Sequence, residues 1–215
     1  MPGSDAPIFD DAFRERLCDL IAWRRDVRRF RPDPVDEGRL RACLAVAALA
    51  PSVGNSQPWR FVRVTDAGRR ATIVASFERC NDEARRGYAD ARGVLYAQLK
   101  LAGLREAPVH LAVFCDEGAD TGHGLGRATM PEMLRYSVVA AVHGFWLTAR
   151  AHGLGVGWVS ILDPDTVAGC LDIPAAWRLV AYLCVGLPME EHVDPELVRH
   201  GWQPRIAAAA TLIER

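Results

Sequence analysis

Residues 24–31 read RRDVRRFR, which places five arginines and one aspartate within eight positions. Upstream, residues such as Leu17 and Ile21 recur at helical spacing, so we expect a first helix that ends near the arginine run. Pro32 prevents any further helical turn, because the residue before a proline avoids the helical region. The sequence therefore predicts a cluster of positive charge at the C-terminal end of a helix.

The arginine run has three possible interpretations. At helical spacing Arg24 and Arg28 share one face, and Arg25 lies beside them. Guanidinium forks bind a dianionic phosphate well. Cations at a helix C-terminus also complement the helix macrodipole. Binding of nucleic acid is the third interpretation, and the formal net charge of −1 counts against it.

Asp26 is an acidic residue inside this basic stretch. A carboxylate about 5 Å from a phosphate charge costs roughly 3 kcal/mol at an effective dielectric near 20. If the arginines bind phosphate, Asp26 is therefore either neutralised by them or turned elsewhere. It is a salt-bridged spacer in one interpretation and a carboxylate placed for proton transfer in the other.

The stretch PSVGNSQPWRF at 51–61 combines a polar loop with the start of a strand at 59–65. Ser52, Asn55 and Gln57 offer donors and acceptors between two prolines, which suits hydrogen bonding to a heterocycle or a sugar chain. The same side chains could instead satisfy backbone groups of the loop itself.

The stretch GLGVGWVSI at 153–161 carries three alternating glycines. It lacks the GxGxxG spacing of a dinucleotide fold, but its glycines permit close approach of a flat ligand. Ser160 would lie at the mouth of that approach, or it is a strand serine bonded to backbone. No GxSxG elbow surrounds it, so a hydrolase nucleophile is not expected.

Length and composition favour one ordinary globular domain, with 215 residues, 50% of them hydrophobic. The six cysteines are widely spaced and are expected to be small buried residues in a reducing compartment. The six histidines lack metal-binding spacing, so no metal site is predicted. No signal peptide and no membrane-spanning run is recognised, which predicts a cytoplasmic protein.

Helical patterns outnumber strands and do not alternate strictly with them, which indicates an α+β fold. Asp36 is expected to cap a second helix. Trp202, in the C-terminal tail, is expected to dock on another surface such as a second subunit. The remaining predicted elements are a helix at 81–105, a strand at 109–116, a mobile loop at 116–126, a helix at 130–152, a strand within 152–164 and a strand at 177–188. The helix at 130–152 is apolar nearly all round, which indicates a central buried helix or a subunit interface.

Together and in this order, the three motifs resemble those of the FMN-dependent nitroreductase superfamily. The resemblance covers about residues 12–206 and is carried further by LKLAGLREAP at 99–108 and GRATMPEM at 126–133. It implies a single nitroreductase-like domain over 1–215 whose ends are arms. The implied fold is an α+β sandwich with a central mixed or antiparallel sheet flanked by helices, in an intertwined homodimer with FMN at the subunit interface.

The resemblance also implies which residues bind FMN. The arginine run and the C-terminal Arg205 would bind the phosphate and the ribityl chain. The polar loop and the glycine-rich stretch would contact the flavin ring. The implied cofactor-binding residues are Arg24, Arg25, Asp26, Val27, Arg28, Ser52, Asn55, Gln57, Ser160 and Arg205.

Asp26 stands where ordinary nitroreductases commonly carry Ser, so the chain most resembles the group of the superfamily that makes 5,6-dimethylbenzimidazole, the lower ligand of vitamin B12. This implies that reduced FMN and O2 are consumed and erythrose 4-phosphate is released. Asp26 and Ser160 would be catalytic, with the segment 80–105 and the loop 116–126 as lids. A separate NAD(P)H:flavin reductase would supply reduced FMN, and no nucleic acid or membrane would be bound.

Two other functions remain open from the sequence. A conventional NAD(P)H-dependent nitroreductase or quinone reductase shares the fold, the cofactor and the dimer, and it needs an open flavin face. A flavin-binding or storage module binds FMN without turnover.

Overall fold

The computed structural model describes residues 6–207 and 211–215. These residues contain four strands and seven α-helices. The outermost residues of the predicted arms, 1–5, and residues 208–210 lie outside this description. The strands are β1 (Trp59–Arg63), β2 (Val109–Asp116), β3 (Gly155–Val159) and β4 (Trp177–Gly186). The helices are α1 (Asp11–Trp23), α2 (Glu37–Ala47), α3 (Ala67–Arg86), α4 (Asp90–Gln98), α5 (Met133–Ala151), α6 (Pro164–Cys170) and α7 (Glu196–Arg199), with a short 3₁₀ turn at Val53–Asn55.

The strands form one antiparallel sheet in the order β1-β2-β4-β3. Side chains alternate across β2 and β4, so the sheet has two apolar faces. One face packs against α2 and α5, and the other packs against α3 and α6. This arrangement confirms the predicted α+β fold with a central sheet flanked by helices.

Helix α5 is less uniformly buried than its composition predicted. Tyr136 and Val139 are exposed on one side. The other side is buried against the sheet. Its buried residues are Leu134, Ser137, Val138, Ala141, Val142, Phe145, Trp146 and Ala149. Within residues 6–207 and 211–215, no helix combines the length and apolar character needed to cross a lipid bilayer.

The prediction that the arginine run is helical is wrong. Helix α1 ends at Trp23, and Arg24 already has extended backbone angles (φ −71°, ψ 114°). Asp26 forms a parallel bridge with Val156, and the Val27 N–H donates to the Val156 carbonyl at 3.0 Å. The segment is extended because its backbone pairs with the open edge of β3, an interaction that helical periodicity does not reveal.

The prediction of one helix over 81–105 is also wrong. Helix α3 runs to Arg86 and is capped at Gly87, whose N–H donates to the Ala84 carbonyl at 3.1 Å. The chain then turns into the separate helix α4, whose first residue, Asp90, has a positive φ of 52°. The predicted capping residue Asp36 is confirmed, since its carboxylate accepts from the Arg39 N–H at 2.9 Å.

Gly157 is required for the pairing between the arginine segment and β3, which gives a stability prediction. A Cβ placed on Gly157 lies 2.2 Å from the Val27 carbonyl oxygen, a backbone atom that cannot step aside. We expect Gly157→Ala to lower the free energy of unfolding by about 2–3 kcal/mol. Chemical denaturation measures this change.

Gly169→Ala is the matched control for this prediction. It lies in α6, and a Cβ placed there meets no atom within 4 Å. Because Ala has the higher helix propensity, this variant should be at least as stable as the wild type. Equal stability of the two variants would contradict the close contact at Gly157.

Candidate functional site

The extended conformation of the arginine segment decides which of its side chains meet. Alternate residues of an extended chain point to the same side, so the side chains of Asp26 and Arg28 lie together. The Arg28 Nε donates to Asp26 Oδ2 at 3.0 Å. The Trp158 backbone N–H, on β3, donates to Asp26 Oδ1 at 2.8 Å. Both carboxylate oxygens are therefore fixed in direction.

The pKa of Asp26 is raised above its ordinary value. Burial is the main cause, because desolvation disfavours the charged carboxylate. The positive charge of Arg28 and the Trp158 N–H act in the opposite direction, while the negative charge of Glu196 adds to the rise. The side chain keeps 31% of its surface exposed. Asp26 is thus an oriented, partly accessible carboxyl group that takes up a proton more readily than an ordinary aspartate.

This shift predicts how Asp26 affects stability. A raised native-state pKa favours folding below the ordinary aspartate pKa, and this contribution is lost as pH rises through the native-state pKa. Asp26→Asn removes a desolvated carboxyl group whose ionisation disfavours the folded state as pH rises. We expect Asp26→Asn to raise Tm at pH 7, with the gain shrinking as pH falls towards 4, as measured by thermal unfolding.

Asp163 provides a control of opposite sign. A hydrogen bond from Thr166 is the main cause that lowers the pKa of Asp163, so its charge stabilises the fold above the ordinary aspartate pKa. Asp163→Asn should lower Tm at pH 7 and have less effect at low pH. A destabilising Asp26→Asn at pH 7 would show that its ion pair with Arg28 outweighs desolvation.

A cleft of about 490 Å³ gathers the predicted phosphate ligands. Arg24, Arg25 and Arg28 line it from the extended segment, and Arg205 lines it from the C-terminal tail. Burial is the main cause that lowers the pKa of both Arg24 and Arg25, and the charge of Arg205 lowers both further. Such mutual repulsion between guanidinium groups is relieved by a bound anion.

The arginines of this cleft differ in their free donors. The Nε of Arg24 is buried without a hydrogen-bond partner, and its guanidinium lies 4.5 Å from the centre of the Trp146 ring. Arg28 is instead occupied within the chain, since it binds Asp26 and donates to the Lys100 carbonyl at 2.9 Å. Arg25 is also occupied, because its Nε donates to the Val193 carbonyl and a terminal nitrogen donates to the Arg24 carbonyl. Arg24 and Arg205 are therefore the residues with the freest donors for a phosphate, and Arg28 orients Asp26.

Two glycines of the 153–161 stretch lie against the arginine segment. Gly155 and Gly157 make room for Val27, because a Cβ at either position would meet that residue. The side chain of Val27 thus packs on β3, and its predicted contact with FMN stays a prediction. Gly153 has a positive φ of 72° just after the end of α5.

Ser160 follows directly on β3 and is exposed. It lies two residues after Trp158, whose N–H binds Asp26. The structure therefore places Ser160 near the same sheet end as Asp26 without a hydrogen bond between the two among the described residues.

The polar loop lies apart from the arginine cleft within one chain. The Val53 N–H donates to Ser137 Oγ at 3.0 Å, near the N-terminal end of α5. Arg24 lies over Trp146, nine residues further along that helix, which corresponds to about 14 Å of helix length. The polar loop and the arginine cleft thus lie at different points along α5.

The side chains of this loop bind the backbone of the loop itself. Ser52 Oγ accepts from the Gln57 N–H at 3.1 Å, and Gln57 Nε2 donates to the Asn55 carbonyl at 3.3 Å. Asn55 and Gln57 both have positive φ, 54° and 47°. This pattern favours the local backbone role for the side chains in the isolated chain.

Two contacts of the C-terminal tail were not anticipated from the sequence. Glu196 reaches the arginine segment, with its Oε1 3.0 Å from an Arg29 nitrogen. Trp202 docks on Tyr88 and Tyr96 of its own chain, at ring-centre distances of 5.3 and 6.1 Å. Its predicted contact with a second subunit stays a prediction. The acidic and aromatic residues of the tail indicated that it makes contacts. The residues that it contacts are distant in sequence, so the sequence does not identify them.

Comparison with known proteins identifies the family of this fold. Residues 21–187 match the model of the nitroreductase family. A protein of Rhodospirillum rubrum named 5,6-dimethylbenzimidazole synthase is 63% identical, over 93% of this chain and 94% of its own. A protein of the same name from Rhodobacter capsulatus is 46% identical, over 92% of this chain and 96% of its own.

Among solved structures, oxidized iodotyrosine deiodinase bound to FMN and 3-iodo-L-tyrosine is 28% identical and superposes with a TM-score of 0.72. The match covers 93% of this chain and 97% of the deiodinase chain. The sequence and fold comparisons agree with each other, and the chain belongs to the nitroreductase family.

Proposed function

We propose that this chain is a flavin-consuming oxidoreductase that converts reduced FMN and O2 into 5,6-dimethylbenzimidazole and erythrose 4-phosphate. The observation that carries the proposal is Asp26, an oriented carboxyl group with a raised pKa that borders the arginine cleft. The 63% identical relative supports the same activity.

The residues of the cleft fit FMN. A phosphate monoester is dianionic near neutral pH, and it suits a site with repelling guanidinium groups and a buried Nε that lacks a partner. Arg24, Arg25 and Arg205 would hold the phosphate. The FMN-bound deiodinase structure supports FMN as the ligand. When bound, reduced FMN supplies the ring that reacts with O2 and whose dimethylbenzene part is kept in the product.

The chain's own residues have distinct roles in this proposal. Asp26 accepts a proton from the ribityl carbon, a task for which its raised pKa is suited. Arg28 and the Trp158 N–H keep its carboxylate oriented. Ser160 is proposed as a hydrogen-bond partner of the ring, because it is exposed at the end of β3 and has a free hydroxyl.

We further propose that the functional unit is a homodimer. Helix α1 exposes Phe13, Leu17 and Ile21, a stripe at four-residue spacing that lacks a covering element among the described residues. In a dimer Ser52, Asn55 and Gln57 would contact the flavin bound in the cleft of the other subunit. A separate NAD(P)H:flavin reductase, implied by the family resemblance, would supply reduced FMN.

Product analysis tests the proposed function. Purified protein is mixed anaerobically with chemically reduced FMN, air is admitted, and 5,6-dimethylbenzimidazole is sought by mass spectrometry. The compound should appear in amounts that follow the protein concentration. Simple reoxidation of FMN, together with consumption of NADPH in the presence of a quinone or nitroaromatic, would instead establish a conventional nitroreductase.

A further inference from the structure

Glu196 is a buried carboxylate next to the proposed catalytic residue and has no role in the function proposed above. Its side chain is only 8% exposed, although carboxylates are rarely buried without a partner. Its Oε1 lies 3.0 Å from an Arg29 nitrogen, and its Oε2 lies 3.9 Å from an Arg28 nitrogen. Glu196 thus bridges two arginines of the extended segment from the C-terminal tail.

Arg28 connects Glu196 to Asp26. The guanidinium of Arg28 donates from Nε to Asp26 and from a terminal nitrogen to the Lys100 carbonyl, and that same nitrogen faces Glu196. Because a guanidinium is planar and rigid, contacts on one side fix the direction of the Nε–H on the other. Removing the Glu196 charge leaves Asp26 as the sole carboxylate near Arg28 among the described residues.

We propose that Glu196 is a positioning residue that acts through Arg28 to set the orientation and charge balance of the Asp26 carboxyl group. This inference rests on the proposed function for its catalytic consequence. The Arg29 contact alone does not require a buried glutamate, because Glu190 also lies 3.0 Å from the same Arg29 nitrogen and is 42% exposed. Each glutamate also lies near a histidine, Glu196 at 3.7 Å from His200 and Glu190 at 3.4 Å from His192. The contact of Glu196 that has no counterpart at Glu190 is the one with Arg28.

The groups facing Asp26 allow a clear expectation for its proton affinity. Arg28 and Arg24 face it from its own segment, the Trp158 N–H from β3, the Cys184 thiol from β4 and Glu196 from α7. Glu196 is the carboxylate of this set. Its negative charge raises the Asp26 pKa directly and also competes for Arg28.

The first test is direct titration of Asp26 in FMN-free protein. Carbon-13 NMR of aspartate-labelled protein gives the carboxyl pKa, and the Asp26 signal is identified by its loss in Asp26→Asn. Glu196→Gln should lower the Asp26 pKa, because it removes a nearby negative charge and frees Arg28 for Asp26. Glu190→Gln, which removes the other partner of Arg29, should leave it unchanged.

Glu196→Asp keeps the charge on a shorter side chain and should produce a smaller shift in the same direction. If thermal unfolding shows that Glu196→Gln does not fold, Glu196→Asp is titrated in its place. An unchanged Asp26 pKa in the folded Glu196 variants, or an equal shift in Glu190→Gln, would overturn the proposal.

The second test is the pH dependence of product formation from reduced FMN. In Glu196→Gln the acid limb should move to lower pH, and the rate at pH 7 should fall about three- to tenfold, because a weaker base transfers the proton more slowly. A wild type that makes no 5,6-dimethylbenzimidazole would refute the proposed function. The NMR titration would still decide whether Glu196 acts on Asp26.

Discussion

Asp26→Asn is expected to bind FMN and yet form no detectable 5,6-dimethylbenzimidazole, a loss of at least about a hundredfold. The amide has nearly the same shape as the carboxyl group, so the Trp158 N–H can still donate to its oxygen. Asp26→Asn loses only the carboxylate that can accept a proton. The measurement is product formation over time by mass spectrometry, alongside FMN affinity from flavin fluorescence.

Asp33→Asn is the matched control for this variant. Asp33 lies in the same stretch and also pairs with an arginine, since Arg31 Nε lies 2.9 Å from its Oδ2. Its side chain is 43% exposed and does not line the arginine cleft. It should keep wild-type product formation. Normal product from Asp26→Asn would remove Asp26 from the chemistry and return it to the role of a salt-bridged spacer.

The sequence predicted the composition of the site better than its geometry. The order of the three motifs gave the family, and Arg24, Arg25 and Arg205 do line one cleft. The assignment of the run to a helix failed because the apolar spacing of α1 ends at Trp23, and the following segment takes its conformation from the edge of β3. Asp26 and Arg28 therefore pair because they are two residues apart in an extended segment.

Other parts of the site depend on contacts that no local pattern contains. Glu196 meets Arg29 across 167 positions of sequence, and the spacing of the tail gives no indication of that contact. Gly155 and Gly157 are sites of close approach, and within the chain the approaching group is Val27. A glycine pattern shows where space is needed and does not identify what fills it.

Arg24→Gln is expected to weaken FMN binding by about ten- to a hundredfold while leaving riboflavin binding nearly unchanged. The two flavins differ by the phosphate, so this comparison isolates the contact made by the arginine cleft. The expected loss is large because the Arg24 Nε is buried without a partner and a phosphate oxygen would satisfy it. Fluorescence titration of both flavins provides the measurement.

Arg24 also packs over Trp146, so its replacement could disturb the fold as well as the charge. Arg205→Gln avoids this difficulty, because Arg205 is exposed on the tail and still lines the cleft. It should weaken FMN selectively in the same way. Arg178→Gln, an exposed arginine outside that cleft, should change neither affinity. Equal losses for FMN and riboflavin in the Arg24 and Arg205 variants would show that these arginines support the fold without contacting the phosphate.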